Sequence, residues 1–257
     1  MTILVFDIET IPDVETGRRL YALDGLSDGD TASALFALRR AKVGHDFLPH
    51  HLQKVVAISL VISNATQLKV WTLGDEQSDE KELVHRFFTG IDKHTPTLVS
   101  WNGSGFDLPV LHYRALFHRL AAPTYWEAGD HQQAFRWNNY LNRFHYRHID
   151  LMDVIAAYQN KAFAPLDEIA CMLGFPGKMG MSGSKVWDQY QAGNLKGIRD
   201  YCETDVLNTY CVYLRFELMR GTINEAEYSH ALERLRSYLS EETSKSHLQD
   251  FLKQMPE

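Results

Sequence analysis

The chain opens on Thr2-Ile3-Leu4-Val5-Phe6-Asp7-Ile8-Glu9-Thr10, and its two acids are the first residues with chemistry to offer. Ile3 to Phe6 form an unbroken apolar run, the pattern of a strand buried on both faces. Strand side chains alternate, so Asp7 and Glu9 point to the same side of the sheet. Pro12 has no N–H to give to a ladder and ends the strand. Two carboxylates at the end of a buried strand repel each other unless a positive charge lies between them. Carboxylate oxygens suit magnesium or manganese. In a chain with 33 acidic residues, Asp-x-Glu also describes a strand end with two solvated acids. The choice depends on what else reaches this strand.

Two further acids stand in suggestive places. Thr97 to Trp101 reads as a strand, and it runs into Asn102-Gly103-Ser104-Gly105-Phe106-Asp107-Leu108-Pro109. The glycines permit a tight turn from strand to helix, and Pro109 fits the first helical turn. Asp107 then lies at a helix N-terminus, level with a strand end. Capping that helix is the simplest use for it, and a second use is compatible with the first. The spacing from Asn194 to Arg220 predicts a long helix carrying Asp200, Tyr201, Glu203 and Asp205. Tyr201 and Asp205 are four apart and share a face. That face belongs to an apolar stripe of Ile198, Cys202, Val206, Tyr210 and Leu214, where a lone carboxylate is costly. If Asp7, Glu9, Asp107 and Asp205 meet, they call for about two divalent cations, which is phosphodiester chemistry.

The elements that must position these acids follow from periodicity. Lys54 to Ser63 and Gln67 to Leu73 read as two strands joined by the turn at Asn64-Ala65-Thr66. Ser78-Asp79-Glu80 caps a helix with Leu83, Val84, Phe87, Phe88 and Ile91 on one face. The helix after Pro109 extends to about Leu120. His148 to Leu151 is a short fifth strand, and Leu166 to Leu173 is a helix closed by Gly174. Three strands, a helix, a strand, a helix, a strand and further helices make an α/β layer. Its mixed five-stranded sheet begins with an antiparallel hairpin and is flanked by helices. Between Glu15 and Gln53 the pattern is irregular, with a short helix at Thr31–Lys42 after Asp30. His45, His50 and His51 lack zinc-ligand spacing and read as solvated loop histidines. Ala121 to Arg147 interleaves Tyr125, Trp126, Phe135, Trp137, Tyr140, Phe144 and Tyr146 with Arg136, Arg143 and Arg147. That composition suits stacking on single-stranded bases, and equally a helical hairpin with an aromatic core. Two charged amphipathic helices, Asn224–Leu239 and Ser244–Met255, close the chain.

Composition sets limits. The formal charge is −7, from 26 basic and 33 acidic residues, which argues against a generic basic nucleic-acid coat. Cys171, Cys202 and Cys211 form no Cys-x-x-Cys pair and read as reduced thiols of a cytoplasmic protein. The first strand leaves no room for a signal peptide, and no apolar run approaches the roughly 20 residues of a membrane span.

Taken together, three segments resemble a known family. Phe6-Asp7-Ile8-Glu9-Thr10 is similar to the first motif of the DEDD 3′–5′ exonucleases, which have a ribonuclease H-like fold. Asn102-Gly103-Ser104-Gly105-Phe106-Asp107 is similar to the second motif. Tyr201-Cys202-Glu203-Thr204-Asp205 resembles the tyrosine form of the third, since position 200 is Asp rather than His. This points to the DEDDy group. Within it, His148-Ile149-Asp150-Leu151-Met152-Asp153 and Ser184-Lys185-Val186-Trp187 resemble bacterial stand-alone proteins related to the proofreading domain of family B DNA polymerases.

The resemblance implies an exonuclease domain over 1–220 and a C-terminal helical extension, 221–257, packed on or beside it. It implies two Mg²⁺ or Mn²⁺ ions held by Asp7, Glu9, Asp107 and Asp205, with Tyr201 orienting the attacking water. Ile8, Thr10, Asn102 and Phe106 would hold the terminal nucleotide, and Lys185 would meet a phosphate. The expected partners are single-stranded DNA or RNA 3′ ends, DNA in preference, with release of nucleoside 5′-monophosphates. The alternatives are a non-catalytic nucleic-acid-binding module and a proofreading subunit of a polymerase complex.

Overall fold

The computed structural model describes residues 2–256. Five strands form one sheet: β1 (Ile3–Pro12), β2 (Gln53–Ser63), β3 (Leu68–Thr72), β4 (Thr97–Ser100) and β5 (His148–Asp150). Their order is β3-β2-β1-β4-β5, so β1 is central. It pairs antiparallel with β2 and parallel with β4, and β5 is parallel to β4. β2 and β3 pair antiparallel as a hairpin, so the sheet is mixed, as the sequence predicts.

Alternation along β1 divides the interior in two. Leu4, Phe6 and Ile8 face a core shared with α3 (Glu80–His94) and α4 (Asp107–His118). Ile3 and Val5 face the other core, built on the long α8 (Leu195–Met219). Asp7 and Glu9 continue that second row and so point toward α8. The ladder between β1 and β2 shifts register between Glu9 and Thr10. A bulge of this kind bends a strand and re-aims its side chains, and this one lies beside the two acids.

The helices differ from expectation mainly in the first 50 residues. α1 (Val14–Tyr21) occupies a stretch with no readable apolar stripe, and its single buried residue is Gly17. A Cβ on Gly17 would fall 2.6 Å from the Leu35 side chain, so α1 crosses α2 (Asp28–Val43) at close range. The cap of α2 is Ser27 rather than Asp30. The Ser27 hydroxyl accepts from the Asp30 amide and also contacts the Asp30 carboxylate. Residues 121–147 contain one 3₁₀ turn, Gln133–Phe135, and no helical hairpin. Three short helices follow: α5 (Leu151–Ile155), α6 (Leu166–Met172) and α7 (Val186–Gln191).

α9 (Glu225–Glu241) and α10 (Ser246–Gln254) close the chain. Tyr228, Leu235, Leu239, Leu248 and Phe251 are buried in the same core as Val206 and Tyr210 of α8. From α9, the Tyr238 hydroxyl accepts from Val70 N at 3.0 Å and donates to Val70 O at 3.2 Å. This occupies backbone groups on the edge strand β3 that would otherwise be open to strand addition. Among the described residues no helix is long and apolar enough to cross a membrane, and all three cysteines are free.

Candidate active site

β1 delivers Asp7 and Glu9 to the face covered by α8. Their carboxylates and the Cys202 thiol offer ligand atoms within 4.8 Å of one another. Asp107 arrives from the next strand-to-helix connection. It is the first residue of α4, with Phe106 as the cap, so capping is not its task. Its Oδ1 instead accepts from the backbone N–H of Ile8 at 3.1 Å. Asp205 is brought in by α8, one turn after Tyr201. Asp107, Glu9 and Asp205 all raise the pKa of Asp7 through their charges, so the four carboxylates share one electrostatic environment.

Burial is the largest cause of the shift in each of these acids. Asp107 is pushed up to about 7 and Asp205 to about 6. Asp7 and Glu9 rise well above the ordinary carboxylate range, first by burial and then by their neighbours' charges. For Asp205, the phenol of Tyr201 and the charge of Lys178 act in the opposite direction. None of the four acids has an ion-pair partner among the described residues; Asp13 and Glu80, by contrast, share the Arg114 guanidinium. Without an ion-paired cation, burial and mutual repulsion disfavour the charged forms of these acids, which a bound cation would reverse.

Cys202 is the neighbour the sequence did not single out. Its Sγ lies 3.5 Å from both Asp7 O and Asp7 Oδ2. Burial and the adjoining carboxylates push the thiol pKa well up, so it stays protonated and donates to Asp7. The available donors at the site are therefore carboxylate oxygens, a hard set suited to Mg²⁺ or Mn²⁺ rather than to zinc.

A second missed residue shapes the turn that carries Phe106 and Asp107. The Asp150 carboxylate, at the end of β5, accepts from Asn102 N at 2.9 Å and from Ser104 N at 2.8 Å. Asn102 has a left-handed backbone, φ 63°, and its carbonyl accepts from both Gly105 and Phe106. Asn102 thus serves the turn through its main chain.

Beside the acids is a cleft of about 390 Å³, lined by Ile8, Glu9, Thr10, Phe47, Phe106 and Trp187 among others. Phe47 and Phe106 pack with ring centroids 5.4 Å apart, and Phe47 remains 56% exposed. Thr10 Oγ1 donates to Gln53 Oε1 at 2.9 Å. Lys185 is exposed and follows Gly183 and Ser184, which line the cleft. The cation whose charge acts on Asp205 is instead Lys178, which shares a small pocket with Tyr201, Asp205 and Asp167. His50 is held to the same turn, with Nε2 2.8 Å from Gly105 O.

Within residues 121–147, Tyr125, Phe135 and Tyr140 are buried, while Trp126, Trp137, Phe144 and Tyr146 stay more than half exposed. Arg147 lies over the Phe135 ring at 4.2 Å and donates to Asn138 O, and Tyr125 stacks on Tyr140. Arg143 lies over Tyr158 and pairs with Asp153. The segment thus has a small aromatic core of Tyr125, Phe135 and Tyr140 without a helical hairpin, and four exposed aromatics around it.

An α/β fold with a mixed five-stranded sheet and this acidic end is ribonuclease H-like. It resembles the structure of the family B DNA polymerase from the hyperthermophilic archaeon Pyrobaculum calidifontis, with a TM-score of 0.50 and 17% identity. The likeness covers 85% of this chain and 24% of the polymerase, so the chain spans about a quarter of that protein's length. Residues 45–255 match the model of a family described as "Predicted 3'-5' exonuclease related to the exonuclease domain of PolB". The chain belongs to that family. The matched span includes Asp107, Tyr201 and Asp205, and β1 with Asp7 and Glu9 precedes it. No curated protein matches the chain.

Proposed function

We propose that this protein is a metal-dependent 3′–5′ exonuclease of the DEDDy type, removing nucleoside 5′-monophosphates from single-stranded ends, DNA in preference to RNA. The observation that supports the reading is that Asp7 and Glu9 offer ligand atoms side by side, in a pocket of charge that Asp107 and Asp205 share, with no ion-paired cation among the four. In this reading, residues 1–220 are the exonuclease domain and 221–257 a helical extension packed on it. The bacterial stand-alone relatives of polymerase proofreading domains are the group it fits best.

Asp7, Glu9, Asp107 and Asp205 would hold two Mg²⁺ or Mn²⁺ ions. When bound, such ions supply charge for the phosphate and its leaving 3′ oxygen and lower the pKa of water. Tyr201 is placed one helical turn from Asp205 and orients the water by its hydroxyl; burial and the neighbouring acids keep that phenol protonated. The Cys202 thiol holds the Asp7 carboxylate, and the Ile8 amide holds that of Asp107. Both carboxylates are thereby fixed before substrate arrives. Phe106 and Phe47 present ring faces to a terminal base in the adjoining cleft. Thr10 and the backbone at Ile8 complete its walls, Asn102 holds the turn that carries Phe106, and Lys185 would meet a phosphate further out.

The test is product analysis of one single-stranded oligonucleotide labelled at either end, with Mg²⁺, with Mn²⁺ and with EDTA. A 3′ label should leave at once as a mononucleotide, while a 5′ label should give a shortening ladder, both only with metal. Internal nicks, 5′-end degradation or binding without cleavage would overturn the reading.

A further inference from the structure

A second cavity lies on the opposite face of the sheet from the acids. It has a volume of about 360 Å³ and is floored by Leu4, Leu60, Ile62, Trp71 and Leu73. The β1–β2 and β2–β3 registers place Leu4 opposite Ile62, and Leu60 opposite both Phe6 and Trp71. The floor therefore belongs to the row that faces α3, while Asp7 and Glu9 face α8. α3 covers the centre of this face and stops short of β3, which leaves an apolar groove between helix and edge strand.

Two observations indicate what fits there. The first is charge. His85, Arg86, Lys93 and His94 of α3 line the groove, and no carboxylate does. Lys69 lies over the Trp71 ring at 5.6 Å on the far side. Arg86 is neutralised by Glu82, but Lys69 and Lys93 have no ion-pair partner among the described residues. In a chain of net charge −7, this is a local reversal of sign around an apolar floor.

The second is Gly90. It lies well inside α3, where glycine costs about 1 kcal/mol relative to alanine. Close packing does not require it, because a Cβ built there meets nothing within 4 Å. Its effect is to keep the wall of the groove low where it borders the cavity.

We infer that this groove docks an acidic, amphipathic segment of a partner protein, its apolar side chains on Trp71, Leu60 and Ile62 and its carboxylates against Lys69 and Lys93. The unpaired Lys69 and Lys93 beside the apolar floor favour such a segment over a neutral one. A nucleic acid is less well served by a floor of aliphatic side chains. The inference is independent of the chemistry at Asp7 and Glu9, since the two sites are on opposite faces.

The probe is a fluorescein-labelled synthetic peptide of Asp, Glu, Leu and Phe, followed by fluorescence polarisation with the full chain. Two control peptides carry Lys in place of the acids or Ser in place of Leu and Phe. The acidic amphipathic peptide should bind and both controls should not. Gly90→Leu, which fills the groove, and Lys93→Glu should each weaken binding about tenfold or more, with exonuclease activity unchanged and Tm not lowered. Should Gly90→Leu fold poorly, Lys69→Glu and Lys93→Glu alter only exposed side chains and carry the test alone. Failure of the acidic peptide to bind, equal binding by the Lys peptide, or unchanged binding by the variants overturns the inference. So does displacement of the peptide by a single-stranded oligonucleotide in EDTA, or a wild-type dimer that Gly90→Leu dissolves.

Discussion

The Asp107 carboxylate accepts its hydrogen bond from the backbone of Ile8, the residue that separates Asp7 from Glu9. An acid on α4 is thereby fixed to the strand that carries the other two by a bond spanning 99 residues of sequence. Side-chain charge and main-chain geometry can be separated at this point by substitution.

Asp107→Asn keeps an oxygen to accept from Ile8 N and removes the charge. Cleavage should be lost. The melting temperature in EDTA should equal or exceed that of the wild type, because a buried like-charge contact disappears. The manganese-induced rise in melting temperature should shrink, since fewer ligands favour the folded state. Retained cleavage at a near wild-type rate would remove Asp107 from the site.

Tyr201→Phe should lower the rate on the order of 10²-fold while leaving the thermal transition in place. The ring contributes to packing in both proteins, so only the hydroxyl is under test. A rate unchanged by the substitution would reduce Tyr201 to a core residue.

The site acids' contribution to stability without metal should fall as pH rises from about 4 to about 7. The site acids have folded-state pKa values above their unfolded ones, with Asp107 at about 7 and Asp205 at about 6. Over that window these acids bind more protons in the folded chain than in the unfolded one, so their contribution to the slope is negative, whereas His112 and His148, which burial pushes down to about 4, contribute with the opposite sign. Asp13 and Glu203, whose pKa values are lowered by Thr16 and by His247 with Lys245, act with the opposite sign at more acidic pH. Subtracting the Asp107→Asn curve from the wild-type curve cancels the histidines and isolates the share of Asp107 and its coupling to the other acids. A difference curve flat between pH 4 and 7 would contradict it.

Asp150→Ala should leave two turn amides, those of Asn102 and Ser104, without their acceptor. The expected cost is about 1–3 kcal/mol of stability, read by urea titration. Activity should fall as well, through the displaced Phe106–Asp107 turn, and should recover in part with Asp150→Asn. Unchanged stability in the alanine variant would mean that water replaces the carboxylate without loss.

The sheet and the long helix were legible because their patterns are local. The apolar run of β1 and the spacing of α3 and α8 each specify an element without reference to the rest of the chain. The acids were legible because a carboxylate at a strand end, and another on an apolar stripe, violate those same local patterns. What escaped was non-local. Asp150 meets Asn102 across 48 residues, and Lys178 reaches Asp205 only through the fold. α1 escaped because its packing rests on the absence of a side chain at Gly17. The arginines at 143 and 147 gave a composition suited to nucleic acid, yet their own aromatic neighbours take them up.

α4 grips β1 twice. Asp107 holds Ile8, and two turns later the buried guanidinium of Arg114 binds Asp13 just past the strand's end, with Glu80 on its other side. Asp7 and Glu9 therefore lie on or beside a length of strand splinted by a rigid rod. A splinted segment does not breathe by itself. The amides of Ile8 and Glu9 should exchange with deuterium only in openings large enough to free α4, even though they border a bulge. Arg114→Ala, which strands two buried carboxylates at a cost of about 3–5 kcal/mol, should turn that concerted opening into a local one. Faster exchange at Ile8 and Glu9 than at Val5, in that variant alone, is the signature that hydrogen-exchange mass spectrometry or NMR would read.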